Sequence, residues 1–598
     1  MNIKRYLILI PALLLPIISV MAFFRIEQSL FYNKLNNYLA EHAITDDLSF
    51  SAGRDSFTVP VATGDPSVFN VYVPSETSDR FSACFSHFNT LVLDGRSFRS
   101  DDDILSCISD GGTYSTQLVA PKGEILFDGY MSFYFLDTLP SLYITVSDNA
   151  LDTISEVEYD ASGRKPHMPG RMTLVTPAGT TDSSGDISLS RRGNTTFGGY
   201  DMKPYNMNLD TPQGLLGMPG GRKWALKANA MDRTQLMRNR AAFRASEMSE
   251  LTPCPDSRYV DLYINGEYKG MYLLIQRVAY DELMTLTPGE YLLELDYRYE
   301  DEPYYFIETE PVVVHYPEHP TEDDLSYISS KYAAARSAIL DDGDYESYID
   351  VDSFVKMYLI QDFFSQTDVD FASFYFYLGK DGLFHAGPVW DFDLSCGMTA
   401  GDPYHEELTI RSRLFRSQKR PCVFLDLLEH SDRFMDRVCS CYLSDFRDKM
   451  AQYMNTDWNE DTALLEKSAM ISSLVNGTDE TGRSAMDDPA GLAGWIERRL
   501  DYQDGYYRTP DDYAIITYHF AWGTIAAALK KGEPAGFLPD DTHTGNDEGF
   551  WGEITGFVDD KGNAVDDTFI PYEDTDLYAV YSEDSYAWNH PHTQDERD

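Results

Sequence analysis

The stretch "VDSFVKMYLIQDFFSQTDVDFASFYFYLGKDGLFHAGPVWDFDLSCG", residues 351–397, holds a helical pattern, an acidic loop, a two-stranded pattern and a second acid pair. Phe354, Tyr358, Leu359 and Phe363 recur at helical spacing, so the segment opens with a helix capped by Asp352 and ending near Gln366. A loop carrying Asp368 and Asp370 follows. "SFYFYL" and "LFHAGPVW" then read as strands that meet around Asp381-Gly382. With the turn centred on Lys380 and Asp381, antiparallel register sets Asp368 opposite Asp393, within a residue or two for a bulge. Helix and antiparallel strands in one segment place the fold in the α+β class.

Asp391 and Asp393 stand one residue apart in an apolar run. In an extended segment both point to one side and Phe392 turns into the core. Converging carboxylates repel, and burial raises the cost, so a cation between them makes the arrangement sensible. Hard oxygen ligands at this density suit Mg²⁺ or Mn²⁺. A structural Ca²⁺ site or pairing with arginines would use the same residues.

Upstream, "SLSRRGNTTFGGYDMKPYNMNLD" (188–210) reads as strand, Gly-containing loop, strand. Gly193, Gly198 and Gly199 permit close approach of the backbone to a ligand, and Lys203 enters the second strand beside them. "KWALKANAMDRTQLMRNRAAFRASEMSEL" passes from a short strand into a helix for which Asp232 is the expected N-cap. Arg238 and Asn239 fall early in that helix and Glu247 farther along. These charges read either as a solvated face or as a phosphate-facing Arg with a Glu that positions a lysine. "RYVDLYINGEYKGMYLLIQRV" (258–278) predicts a β-hairpin: Val260, Leu262 and Ile264 alternate, Asn265-Gly266 turns, and Met271 to Val278 returns.

At 598 residues the chain exceeds one ordinary core, so several domains are expected. Its 43% hydrophobic and 14% aromatic content is that of a folded protein. A net charge of -49 repels phosphate backbones and anionic lipid, which excludes nucleic acid as a natural partner. After Lys4 and Arg5 comes an uncharged apolar run over residues 6–24, long enough to cross a bilayer. Basic residues before it and acidic bulk after it predict an uncleaved anchor with an extracytoplasmic body; a cleaved signal peptide is the alternative. Among seven cysteines, Cys84 with Cys107, and Cys422 with Cys439 or Cys441, are conceivable bridges in an oxidising compartment. No C-x-x-C pair or H-E-x-x-H motif supports zinc.

The blocks "RRGNTTFGGYDMKPYNMNL", "KWALKANAMDRTQLMRNRAAF", "YVDLYINGEYKGMYLLIQRV" and "GPVWDFDLSCG", in that order, resemble those of the spore coat protein H (CotH) kinase family. The resemblance runs from about residue 139 to 400, and more loosely to 505. It implies an atypical, two-lobed protein-kinase-like fold that transfers phosphate from ATP to Ser or Thr residues of partner proteins. It further implies Lys203 for the nucleotide phosphates, Glu247 as that lysine's partner, and Arg238 and Asn239 near the nucleotide. Asp368 would be the catalytic base, with Asp391 and Asp393 holding Mg²⁺ or Mn²⁺. Gln366 stands where some members carry Asn, and Ser373 where others use Asn or Ser. A catalytically inactive surface-binding or adhesion protein is the competing expectation.

Residues 513–583 resemble one copy of the small β-grasp-like Listeria-Bacteroides repeat of bacterial surface proteins. The expected order is thus a membrane helix (1–30), a β-rich module (31–138), a CotH-like kinase domain (139–505) and the repeat (513–583). The expected setting is the bacterial cell surface.

Overall fold

The computed structural model describes residues 28–52, 55–58, 67–74, 80–157, 165–193, 195–229, 232, 234–279, 283–297, 303–366, 369, 371–397, 422–476, 489–520, 523–536, 538–539 and 554–582. Helix and strand are mixed throughout, as α+β requires. The apolar run 6–24 lies outside the described residues. Among the described residues no helix is long and apolar enough to cross a membrane. All seven cysteines are free thiols, so neither conceivable bridge forms.

Seven strands close into a barrel: Ser141–Val146, Met168–Val175, Thr181–Arg191, Tyr205–Gln213, Gly221–Ala228, Glu267–Gln276 and Ser257–Ile264, the last pairing in parallel with the first. Closure follows from alternation. Leu142 and Ile144, Met172 and Leu174, Ile187 and Leu189, Met207 and Leu209, and Trp224 and Leu226 all fill one interior. The expected hairpin is present, with Ile264 opposite Glu267 and both turn residues left-handed, Asn265 at φ 51° and Gly266 at φ 83°. Its other face, Tyr259, Met271, Leu273 and Ile275, joins a second and larger core. Being buried on both sides explains the nearly continuous apolar run "MYLLI".

That larger core lies between the barrel, the helix Met237–Met248, and a five-stranded antiparallel sheet with its helices. The sheet runs Tyr304–Ile307, Glu310–Tyr316, Tyr291–Leu295, Phe374–Leu378 and Phe384–Ala386. Several details of the 351–397 reading are corrected. The helix is Val351–Phe363 with Asp350, not Asp352, at its N-cap. The second strand stops at Ala386, ahead of the Gly387-Pro388 step, because proline lacks the N–H that a ladder needs. Tyr377 pairs with His385, so the turn centres on Asp381 alone.

The helix end at Phe363 is fixed from far along the chain. Arg499, fully buried on the helix Pro489–Arg508, donates to the carbonyls of Asp362 (2.6 Å) and Phe363 (3.2 Å) in the last turn of the helix Val351–Phe363, where the Asp362 carbonyl also accepts the Ser365 N–H (3.0 Å). The Asp362 carboxylate accepts from Arg499, Gln503 and Tyr507.

Residues 49–136 supply a five-stranded and a three-stranded sheet with a core of their own, which meets the barrel through Tyr263 and Tyr268. Past the helical region, Tyr513–Phe520 pairs antiparallel with Gly523–Lys530 and parallel with Thr575–Tyr581 in a separate sheet.

A buried acid ties the barrel to the helix Asp457–Asn476. Asp261, with no exposed surface, accepts from the Tyr268 hydroxyl and the Ser468 hydroxyl, both at 2.8 Å. Burial pushes its carboxyl up to about 7, against the pull of the two hydroxyls. The unfolded chain loses this proton near pH 4, so between about pH 4 and 7 the folded state binds more protons and stability falls as pH rises. The slope approaches ~1.4 kcal/mol per pH unit and flattens above 7. Asp261→Asn should remove this contribution, so its melting temperature should drop less than that of wild type between pH 5 and pH 8. An equal drop in both proteins would show that Asp261 carries no such charge cost.

Candidate active site between barrel and helical lobe

Trp224, Leu226 and Ala228 point into the barrel, so the parity of the strand Gly221–Ala228 turns Lys227 outward, toward the helix Met237–Met248 and the loop after Ala386. Its side chain is 5% exposed. The ammonium donates to Asn239 Oδ1 (3.0 Å), Asp391 Oδ1 (2.5 Å) and Asp393 Oδ1 (3.1 Å). Three donors meet three acceptors, which is the full capacity of the group. Asn239, fully buried in the first turn of its helix, also donates its amide to Asp393 and accepts the backbone N–H of Phe392 at 3.0 Å.

The acid loop is held by its backbone. The Gln366 amide donates to the Asp391 carbonyl (2.7 Å), and the Cys396 N–H to the Phe364 carbonyl (2.6 Å). The Ser395 carbonyl accepts Arg238 Nε at 3.0 Å. Phe392 is fully buried, as expected, but the segment is not extended: Asp391 sits at φ 59°. Gln235, Leu236, Ser365, Ser373 and Cys396 are left-handed as well. Non-glycine residues in that region carry a local cost of about 1–3 kcal/mol each, tolerated where the surroundings over-determine them. Their concentration on the segments around one lysine and two acids makes this the candidate functional site.

The electrostatics agree. Burial pushes the Asp393 carboxyl up to about 6, Lys227 pulls it down, and Asp391 and Asp232 push it up again. Two carboxylates face one ammonium, leaving the cluster anionic when both are ionised.

Of the residues expected from the sequence, Asn239, Asp391 and Asp393 come together. Asp368 and Asp370 lie outside the described residues. Arg238 is 1% exposed and pairs with the fully buried Asp232 (Nη1 to Oδ1, 2.5 Å). Asp232 is not the N-cap, a place taken by Leu236; it accepts from Thr234 and Arg238 and holds the turn before the helix. Lys203 donates to the Phe197 carbonyl (2.7 Å) within the glycine loop. Glu247 pairs with Arg244 on the far side of the helix, where both line a cavity of about 280 Å³ with Arg240 and Cys254. Lys227 is the residue the sequence reading missed. Its signal was strand parity: in "WALKA", Trp224, Leu226 and Ala228 share one face, which leaves a single charged residue on the other.

A barrel strand thus presents a lysine to an acid pair that follows a second sheet, with an asparagine from the intervening helix between them. A family model described as CotH kinase protein matches residues 189–502, more than half of the chain. The chain belongs to the CotH kinase family. All four converging residues, Lys227, Asn239, Asp391 and Asp393, fall inside the CotH match, which leaves the C-terminal sheet outside. No curated protein matches the chain significantly.

The acid pair fits a divalent cation. Among the described residues no group of three or more metal-ligating side chains comes together. Asp391 and Asp393 offer two partly exposed carboxylates (34% and 15%) already gathered around one positive charge. Mg²⁺ is commonly held by one or two carboxylates with phosphate and water completing its shell.

Proposed function

We propose that this CotH-family chain is an atypical protein kinase that transfers the γ-phosphoryl group of ATP to serine or threonine hydroxyls of a partner protein. The observation that carries the proposal is the convergence of Lys227, Asn239, Asp391 and Asp393 on one point. Phosphoryl transfer depends mainly on positioning and on neutralising phosphate oxygens, and this cluster has the groups for both. Asp391 and Asp393 would hold Mg²⁺ or Mn²⁺, which supplies positive charge to the β- and γ-phosphates when bound. Lys227 would take the phosphate-binding part that the family resemblance assigned to Lys203, its donors passing from the two carboxylates to phosphate oxygens when the metal occupies the acid pair. Asn239 holds Lys227 and Asp393 at fixed spacing, and Arg238 and Gln366 hold the acid loop by its carbonyls.

Asp368 is assigned as the base on the resemblance and on its place two residues after Gln366. It would take the acceptor hydroxyl proton as the oxygen bonds to the γ-phosphorus and the bond to the bridging oxygen of ADP breaks. The acceptor is expected outside the cytoplasm, the setting implied by residues 6–24, and at the bacterial surface if the resemblance of residues 513–583 holds.

The test is ³²P transfer from [γ-³²P]ATP, with Mg²⁺ or Mn²⁺, to the chain itself or a general acceptor protein, with phosphosites read by mass spectrometry. Wild type should label serine or threonine, and Asp393→Ala should not. The variant leaves the donors of Lys227 and Asn239 without that acceptor, so its melting temperature should fall slightly rather than rise. Wild-type protein that neither binds ATP nor transfers phosphate with either metal would leave surface binding as the function.

A further inference from the structure

The glycine loop holds a cation that the site described above does not use. Arg192 follows the barrel strand Thr181–Arg191, and its backbone N–H donates to the Pro204 carbonyl at 3.2 Å. Its guanidinium carbon lies 5.0 Å from the centre of the Trp390 ring. Trp390 is 6% exposed, packs against Phe243 and Tyr375, and directly precedes Asp391. One cation–π contact therefore joins the barrel's loop to the acid loop.

Arg192 is half-buried and forms no ion pair with any described carboxylate, in a chain with 97 acidic and 48 basic residues. A guanidinium held by a ring face keeps its five N–H donors for other acceptors. The neighbouring basic groups are turned elsewhere: Arg191 lies over Phe197 at 4.8 Å, and Lys203 bonds the Phe197 carbonyl. The backbone after Arg192 leaves room, because Gly193 is left-handed at φ 66° and a Cβ there, or at Gly198 or Gly199, would meet nothing within 4 Å.

We propose that Arg192 is a second phosphate-binding cation of the site, docked on Trp390 and donating its planar fork to non-bridging oxygens of a nucleotide bound at Lys227. This rests on the nucleotide reading given under Proposed function. The fork suits a polyphosphate, whose oxygens accept pairwise, and gives no recognition of a nucleoside without phosphate.

The test titrates ATP and adenosine into the full chain, by calorimetry and by tryptophan emission, for wild type, Arg192→Met, Arg192→Lys and Trp390→Phe. Arg192→Met should weaken ATP binding by about tenfold to a hundredfold, the range of lost charge-assisted hydrogen bonds, and leave adenosine unchanged. Arg192→Lys should recover part of the loss. ATP should shift the tryptophan emission of wild type, and Trp390→Phe should abolish the shift. If Arg192→Met binds ATP as wild type does, or loses ATP and adenosine alike, the role of Arg192 is overturned and the nucleotide reading stands. If wild type binds no ATP, both fall.

Discussion

Lys227→Met should abolish phosphoryl transfer and weaken ATP binding, with a loss of transfer on the order of 10²–10³-fold, typical for removal of one preorganised charge-stabilising donor. Methionine is close to lysine in length and packs readily, so the wall of the barrel survives. What disappears is the ammonium that Asn239, Asp391 and Asp393 share. The effect also has a pH signature. Asp393 is already pushed up to about 6 by burial, with Lys227 as the counterweight, so the variant's carboxyl rises further. A raised acid makes the folded state hold protons that the unfolded chain has released. The variant should therefore lose more stability than wild type as pH rises from 5 to 8. Unfolding midpoints at the two pH values and a transfer assay check both halves. Wild-type transfer by the variant would remove Lys227 from the site.

The second large effect is on folding. Arg238 and Asp232 form a pair with 1% and 0% of their side chains exposed. Arg238→Met leaves the Asp232 carboxylate buried beside Thr234 with no opposite charge, and breaking such a pair costs about 3–5 kcal/mol. Adding Asp232→Asn keeps an acceptor for the Thr234 N–H and removes the stranded charge. The double variant should regain most of the stability. It should not regain full activity, because the Ser395 carbonyl still lacks the Arg238 Nε that tethers the acid loop. Urea unfolding of the single and double variants decides the matter; a single variant within about 1 kcal/mol of wild type would contradict a fully buried pair.

The parts of this fold governed by local rules were legible in the sequence. Asn265-Gly266 between alternating apolar residues could only turn tightly, and the acids in "VWDFD" stood out because charge in an apolar run needs a partner. The partner was less legible. Lys227 and Lys203 both sit near strand-like runs, and choosing between them needs the face that each strand buries, which depends on barrel closure. Asp391 shows why chemistry outlasted geometry in the reading: D-x-D delivers both carboxylates to one ammonium through a left-handed turn as well as through a straight strand. Arg499 was invisible for another reason. Its partners at Asp362 and Phe363 lie more than a hundred residues away, and nothing in the helix Pro489–Arg508 signals which carbonyls it will meet.

If Lys227, Asp391 and Asp393 form one nucleotide-phosphate site, ATP binding must depend on the lysine and on the metal together. Calorimetric titration of ATP into wild-type protein and Lys227→Met, each with and without Mn²⁺, tests it most directly. Wild type should show saturable, Mn²⁺-dependent binding that is lost in the variant. Binding of equal strength in both proteins, or none by wild type with the metal present, would contradict it.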